Sequence, residues 1–356
     1  MEYNLTRVPS DELKSFTIEV FSKAGVPRKD AETEAEVLIW ANLRGIDSHG
    51  VLRIPLYLGW IDKGIMKRKP NIRVIKETPA TFLIDADLAL GPVVTTMAMN
   101  KVIEKAKNAG IGWGLIRNTT HQGAMAYYSL MAAEQNMAGI ASVCSPANMA
   151  PHGARVPGVH NSPIAIAVPG LKCNPISLDM ATSVAAGGKL EFAKDQGVSI
   201  PNTWALDGNG QPTTDPKQYK SLLPFGGPKG SGLALMFECL SSLMVGNPLL
   251  QPPTPDKDKI VRGMQNSFVA AIDISTFTNV DSYREDVDRL VEGIKSLPKT
   301  EGTEEIFVPG EIENRVYKDR SVNGIPLPIG TIKNLREASE RFSVPLPGQT
   351  AKMLNI

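Results

Sequence analysis

Ile111-Gly112-Trp113-Gly114-Leu115-Ile116-Arg117-Asn118-Thr119-Thr120-His121-Gln122-Gly123-Ala124 is the stretch on which the fold turns. Its first seven residues are a short apolar run closed by polar residues, which predicts a buried strand over Ile111–Arg117. Upstream, Pro92–Asn108 carries proline near its first turn and Gly110 just past its end, the usual punctuation of a helix. Downstream, Ala124–Gln135 predicts a second helix and Gly139–Ser145 a second strand. Strand alternating with helix is the pattern of an α/β body. Outward from this unit, Ile72–Val74 and Thr81–Asp85 predict strands that open the body. Ile164–Val168, Ile176–Leu178 and Ser267–Ile272 predict further strands. Asp207-Gly208-Asn209-Gly210 predicts a hairpin turn, because Asn-Gly and Asp-Gly reach positive φ at low cost.

The two ends of the chain read as helical. Ser10 is expected as an N-cap before Asp11 and Glu12, with Leu13, Phe16, Val20 and Phe21 at helical spacing until Gly25 and Pro27. Asp30 is expected to cap a second helix, with Ala31, Ala35, Leu38 and Asn42 on one stripe and Gly45 past its end. Gly230–Gly246, Tyr283–Ser296, Glu311–Lys318 and Thr331–Phe342 predict later helices, and Leu250–Asp258 a solvated surface loop. The expected organisation is a helical part over residues 1–70 packing with 300–356, around an α/β body of mixed sheets over 71–299.

A chain of 356 residues exceeds what one core comfortably serves, so packed sub-domains with room for a cleft are expected. Lys and Arg number 38 against 37 Asp and Glu, without a long run of one sign, so nucleic acid is not expected as a partner. Cys144, Cys173 and Cys239 are odd in number and lack CxxC spacing, which points to a reducing compartment and away from a thiolate metal site. The start of the chain lacks the basic and apolar regions of a signal peptide, and the apolar Ser231–Gly246 carries Glu238 and is too short to span a bilayer. A cytoplasmic protein with no membrane partner is the expectation.

The four histidines, His49, His121, His152 and His160, include no i, i+4 pair, and no metal site is expected. There is no GxSxG elbow, no P-loop and no GxGxxG followed by an acidic residue, so the standard Rossmann fingerprint is missing. Three features remain. The glycine-flanked turn Gly45–Arg53 carries Ser48, His49 and Arg53, with Tyr57 four residues on. If Ser48 opens a helix, His49, Arg53 and Tyr57 share a face, while Pro55 moves the regular helix nearer Val51. Arg53 is either a carboxylate clamp or a surface ion-pair partner, and Ser48 either part of that cluster or an N-cap. His121 stands where open α/β sheets place ligands, and is either a proton-transfer group or a partly exposed capping residue. Lys229 lies in a glycine-rich turn feeding a helix N-terminus, where backbone amides can meet a phosphate.

Seven ordered strings together resemble one family. They are Arg44–Gly50, Asn118–Ala124 with Tyr127-Tyr128, Asn161–Ala167, Leu178–Thr182, Pro212–Pro216, Gly227–Ala234 and Pro309–Glu311. In this order they are similar to the type 2 malate/L-lactate dehydrogenases, a family that includes ureidoglycolate and sulfolactate dehydrogenases and cyclic-imine reductases. The resemblance runs from about Leu13 to Phe342. It implies a non-Rossmann α/β fold of the malate/L-lactate dehydrogenase type and a homodimer that holds NAD or NADP beside a 2-hydroxy or 2-oxo acid. By position, His121 matches the proton acceptor, with His49 the alternative, and Ser48, Arg53 and Tyr57 match the substrate side. Ser145, Asp179, Met180, Ala181 and Lys229 match cofactor contacts. The sequence departs from the pattern at His160-Asn161-Ser162-Pro163, where Gly-Thr-Asn-Pro is usual, and at Ser231 and Gln122. It also carries Pro146 where an acidic residue is often found, which leaves NAD the favoured cofactor with NADP open. The activity implied is a 2-hydroxy acid dehydrogenase. The alternatives are an NAD(P)H-dependent reductase of a cyclic imine carboxylate and a non-catalytic dinucleotide-binding protein.

Overall fold

The strand at the centre of the sequence reading becomes a central strand of the molecule. In the computed structural model, which describes residues 6–250, 264–348 and 350, the chain begins β1 (Thr6–Val8), α1 (Ser10–Lys23), α2 (Arg28–Leu43) and α3 (Ile54–Asp62). The body follows as β2 (Arg73–Glu77), β3 (Thr81–Asp85), α4 (Gly91–Ala109), β4 (Ile111–Thr119), α5 (Ala126–Ala133), β5 (Met137–Cys144), β6 (Ile164–Val168) and β7 (Ile176–Met180). Next come α6 (Gly187–Gln196), β8 (Ala205–Leu206), β9 (Ser221–Leu222), α7 (Pro228–Glu238) and β10 (Gln265–Asp273). The chain closes with α8 (Val280–Lys295), α9 (Glu311–Asn323), β11 (Ile325–Leu327) and α10 (Ile329–Phe342).

One seven-stranded sheet carries the order β2-β3-β4-β10-β5-β6-β7, with β3 and β4 parallel and every other pair antiparallel. The parallel pair is joined through α4, as a crossover requires. Alternation along the central strands divides the core between the two faces. Ile116, Val269 and Ala271 pack on α4 and α5, whereas Leu115 and Phe268 face Phe237 of α7. The glycines of β4 and β5 set how closely the helices approach: a Cβ on Gly112 would lie 2.1 Å from the Val102 carbonyl oxygen, and one on Gly139 2.1 Å from that of Ser129. Either substitution would push a helix off the sheet.

A separate core joins the two ends of the chain. Leu13, Phe16, Phe21 and Leu38 of α1 and α2 pack with Ile332 and Leu335 of α10, and β1 pairs antiparallel with β11. A third, smaller core gathers Met149, Leu190, Ala205, Leu222 and Ala234 around the β8–β9 pair.

Several boundaries differ from the sequence reading for local reasons. Pro9 and Pro27, not Ser10 and Asp30, occupy the N-cap positions of α1 and α2, and neither helix has a side-chain cap. Proline supplies a fixed φ without an N–H to satisfy, and the acidic residues move into the first turns, where they meet the helix dipole. Helix α5 starts two residues later than expected because Gly123 at φ +73° belongs to the turn before it. The apolar helix from Pro228 changes to a π turn over Cys239–Leu243, where the Ser241 hydroxyl donates to the Phe237 carbonyl. Helix α6 has no counterpart in the reading. The Asp207–Gly210 turn is present, closed by the Asp207 amide donating to Gln211 O. The expected loop after Leu250 lies outside the described residues.

Candidate active site

The Gly45–Arg53 turn is held by residues on both sides of it. After α2 the chain makes two tight turns, Asp47–His49 and Val51–Arg53, and the regular helix α3 starts only at Ile54, with Pro55 in its first turn. Of the two arrangements left open by the sequence, a helix from Ser48 is not formed and the regular helix starts later, as Pro55 indicates, and the three residues still gather. Asn42 organises them: its Nδ2 donates to Asp47 Oδ1 at 2.6 Å, and its Oδ1 accepts from the Val51 amide at 2.8 Å. Gly50 packs directly on that side chain, where a Cβ would come within 2.1 Å of Asn42 Oδ1. From α9, Arg320 grips both carboxylate oxygens of Asp47 at 2.7 and 3.0 Å. The C-terminal part of the chain thus fixes the turn that presents Ser48, His49 and Arg53.

The His121 turn is pinned with equal density. Thr120 Oγ1 donates to Ala89 O at 2.8 Å, the Gln122 amide donates to Gln265 Oε1 at 3.1 Å, and Tyr128 Oη donates to Gln122 O at 2.5 Å. These contacts hold the imidazole past the carboxyl end of β4, beside the Ser48 turn.

Together the two turns place two imidazoles, a phenol and a guanidinium in one cluster. The His49 and His121 rings stack with centroids 5.3 Å apart and planes at 28°. Tyr57 Oη lies 2.6 Å from His121 Nδ1, and the Gly123 amide donates to the same nitrogen at 3.2 Å. An amide N–H can only donate, so His121 Nδ1 carries the lone pair and the resting neutral ring holds its proton on Nε2. His49 Nδ1 sits 2.9 Å from Ser48 Oγ, and Arg53 Nε donates to Ser48 O at 2.6 Å. The Arg53 guanidinium is half-buried, and its two Nη groups meet no carboxylate among the described residues. Burial and the nearby Arg53 charge lower His49 to about 4. Burial, His49, Arg53 and His160 hold His121 well below the ordinary histidine range. Burial pushes the Tyr57 phenol up, so it stays protonated.

The remaining candidates form a second set near the ends of β5 and β7. Gln265 bridges the two sets: its Nε2 donates to Ser145 Oγ at 3.2 Å while its Oε1 holds the His121 turn. Asp179 accepts from the Ala126 amide at 2.9 Å and so caps α5, the helix that follows His121. Met180 ends β7, and Ala181 leads into Thr182, whose amide donates to Asn161 O and whose carbonyl accepts from the Phe225 amide. A Cβ on Gly230 would lie 2.4 Å from Thr182 O, so the Lys229 turn packs directly on this strand end. The turn does not offer open amides to a phosphate, contrary to the sequence expectation: Lys229 N–H donates to Gly226 O, Gly230 N–H donates to Phe225 O, and Pro228 has no N–H. What it offers is the exposed Lys229 ammonium, with no acidic partner among the described residues, and the positive end of α7.

The signature of the malate/L-lactate dehydrogenase family matches residues 8–336 of the chain. The chain belongs to this family. It is 41% identical to the L-sulfolactate dehydrogenase of Methanocaldococcus jannaschii, over 86% of this chain and 89% of that protein. It is 38% identical to the malate dehydrogenase of Pyrococcus horikoshii, over 97% and 98%. The crystal structure of malate dehydrogenase from Entamoeba histolytica superposes with a TM-score of 0.92 at 30% identity, covering 97% of this chain and all of that one.

In this family member the sequence reading named side chains of the two turns that meet one another, and missed those that hold them. Asn42, Arg320 and Gln265 act through partners 5 to 273 residues away. Gln265 opens β10 two residues before the strand predicted at Ser267–Ile272, and nothing local marks its side chain.

Proposed function

We propose that this enzyme transfers a hydride between a nicotinamide dinucleotide and a small 2-hydroxy or 2-oxo acid, with Arg53 as the carboxylate clamp and His121 as the proton-transfer group. The observation that carries the reading is the Arg53 guanidinium, half-buried beside two uncharged imidazoles and lacking an acidic partner among the described residues. A half-buried cation without a counter-ion is costly, and the carboxylate of a 2-hydroxy acid relieves that cost through paired, charge-assisted hydrogen bonds. With the carboxylate so held, the C2 oxygen falls to the imidazoles.

During oxidation His121 takes the hydroxyl proton at Nε2. The ring must then carry its other proton on Nδ1, donating to the Tyr57 oxygen and giving up the Gly123 amide, a loss of about 1 kcal/mol. Tyr57 can make this exchange because a phenol oxygen both donates and accepts. His49, stacked on His121 and turned by Ser48, donates to the reacting oxygen or the carboxylate.

The donor set fits a dinucleotide. Thr182 Oγ1 is buried without a partner among the described residues, directly after Asp179-Met180-Ala181, and Gly230, next to the exposed Lys229, packs on the Thr182 carbonyl. Ser145, Asp179, Met180, Ala181 and Lys229 would hold the cofactor, whose nicotinamide supplies the hydride acceptor when bound. NAD is the favoured form, with NADP open. Millimolar NADH is expected to raise the melting temperature, since a ligand selective for the native state adds RT ln(1 + [L]/Kd) of stability. A melting curve indifferent to both NADH and NADPH contradicts the cofactor assignment.

Arg53→Lys tests the clamp. Lysine keeps the charge and loses the planar fork, so kcat/KM for the best 2-oxo acid is expected to fall about 30-fold, equivalent to about 2 kcal/mol. The affinity for NADH should change far less. An unaltered kcat/KM would remove Arg53 from the site.

Further readings support a dimeric cytoplasmic enzyme. Leu233, Leu235, Met236, Leu240, Leu243 and Met244 are each more than a third exposed along α7 and its π turn, an apolar surface suited to a second copy of the chain. The three cysteines are unpaired, as in a reducing compartment, and among the described residues no helix is long and apolar enough to cross a membrane. The core shared by α1–α3 and α10 supports a helical part formed from residues 1–70 and 300–356 against the body at 71–299.

A further inference from the structure

Gln265 touches both sets of candidate residues with one side chain, and the strands around it are built to aim that side chain. The ladder of β10 with β5 pairs Asn266 with Cys144, so Gln265 faces Ser145 one step further on. On its other side β10 pairs Gln265 with Thr119 and Ser267 with Ile116, which leaves β4 one residue longer over that step. This bulge is stapled by side-chain amides. Asn118 turns at φ +56°, its N–H donates to Asn266 Oδ1 at 3.2 Å, and Asn247 Nδ2 donates to Oδ1 of Asn118 and of Asn266, each at 3.0 Å. Beyond the bulge the chain enters the His121 turn, with the Gln265 side chain buried between that turn and Ser145.

The Gln265 amide fits in one orientation only. The Gln122 backbone N–H donates to it at 3.1 Å, and an N–H needs an acceptor, so the atom there is Oε1. Nε2 therefore faces Ser145 Oγ, 3.2 Å away, and an amide NH₂ only donates. The Ser145 oxygen is thus an acceptor toward Gln265, and its own proton has no partner among the described residues. From the Gln122 N–H through Gln265 to the Ser145 O–H the donors all run one way. Bonds in such a series polarise one another, so an acceptor placed against Ser145 strengthens the hold on the His121 turn.

We infer that Gln265 is a positioning residue with two roles: it makes Ser145 a hydrogen-bond donor toward an acceptor on the dinucleotide, and through the Gln122 amide it holds the turn that carries His121. The inference rests on the cofactor reading above and deepens it. Cofactor affinity and proton transfer then share one side chain, and changing one of its two polar atoms separates them.

Two measurements at about pH 8.5, where a carboxyl group is ionised, test this. One is fluorescence titration with NADH, and the other is kcat for oxidation of the best of L-malate, L-lactate and L-sulfolactate with saturating NAD. The proteins are the wild type, Ser145→Ala, Gln265→Met, the double variant of these two, and Gln265→Glu. Methionine has about the length of glutamine and offers neither polar atom. Ser145→Ala and Gln265→Met should each weaken NADH about tenfold, the size of one hydrogen bond. The double variant should bind no more than about twofold worse than either, because both changes remove the same donor. Gln265→Met should also lower kcat about tenfold, since the buried Gln122 N–H loses its acceptor. An ionised glutamate accepts from the Gln122 amide and from the Ser145 hydroxyl alike, and so uses up the proton meant for the cofactor. Gln265→Glu should therefore bring kcat back to within about threefold of the wild type while NADH affinity stays as weak as in Ser145→Ala. Penalties on NADH that multiply in the double variant, a methionine variant with unaltered kcat, or a glutamate variant that has both properties or neither overturns the role of Gln265 and leaves the dehydrogenase reading standing. A wild type that binds neither NADH nor NADPH overturns the cofactor reading, and this one with it.

Discussion

Alanine at His121 is expected to lower kcat for 2-hydroxy acid oxidation by roughly 10²–10⁴-fold while leaving dinucleotide affinity within a few-fold, because general acid–base catalysis typically supplies a factor of that size. In the proposed reading the ring touches the reacting oxygen, and the Ser145, Asp179 and Lys229 set, not this ring, holds the dinucleotide. The pH profile carries a second signature. Desolvation and the charges of His49, Arg53 and His160 hold the His121 pKa well below the ordinary value of 6.5. A base must be neutral to accept a proton, so oxidation should already be on its plateau near pH 6.5 and fall only at more acidic pH, as the ring becomes protonated. Reduction needs the protonated ring and should therefore rise as pH falls through the same range. In His121→Ala both limbs should vanish with the activity. His49→Ala is the companion measurement. Should it abolish turnover and both limbs while His121→Ala retains them, the proton-transfer role belongs to His49.

How far this site was legible depends on whether the physics was local. Helix and strand periods are local, so β3, β4, β6 and α4 stand within two residues of the sequence reading, and His121 falls at the strand end where it was expected. The turn residues Ser48, His49 and Arg53 could be named because glycines and a proline punctuate them. Their arrangement could not. The 3₁₀ turns ahead of α3 depend on Asn42 and on Arg320, a residue of α9, and such partners leave no periodic trace. Helix caps failed in a related way. Ser10 and Asp30 are good N-cap residues, but Pro9, one residue before Ser10, and Pro27, three before Asp30, fixed the chain entry first. The Lys229 turn has the composition of an anion nest, and only the hydrogen bonds to Gly226 and Phe225 reveal that its amides are already engaged.

Glu34 was hidden for the opposite reason: among Asp30, Glu32 and Glu36 of the same helix it reads as one more residue of the solvated face. In the fold it is wholly buried on α2, and neither carboxyl oxygen has a partner among the described residues. Desolvation pushes its pKa from 4.5 to about 8. The sign of the consequence follows from proton counting. Between about pH 4.5 and 8 the unfolded chain carries an ionised Glu34 and the folded chain a protonated one, so folding takes up a proton. The folded state is favoured most below pH 4.5, as far as this residue is concerned. It loses stability progressively up to about pH 8, by about 5 kcal/mol in all at 1.36 kcal/mol per pKa unit. Glutamine has nearly the same shape and no ionisation, and it leaves a buried polar group much like the protonated acid. Glu34→Gln should therefore match the wild type in thermal or urea unfolding at pH 4.5–5 and exceed it by several kcal/mol at pH 8. A difference between the two proteins that is the same at both pH values would mean that Glu34 ionises in the folded protein as it does in water, and that the carboxylate finds in solution a partner it lacks here.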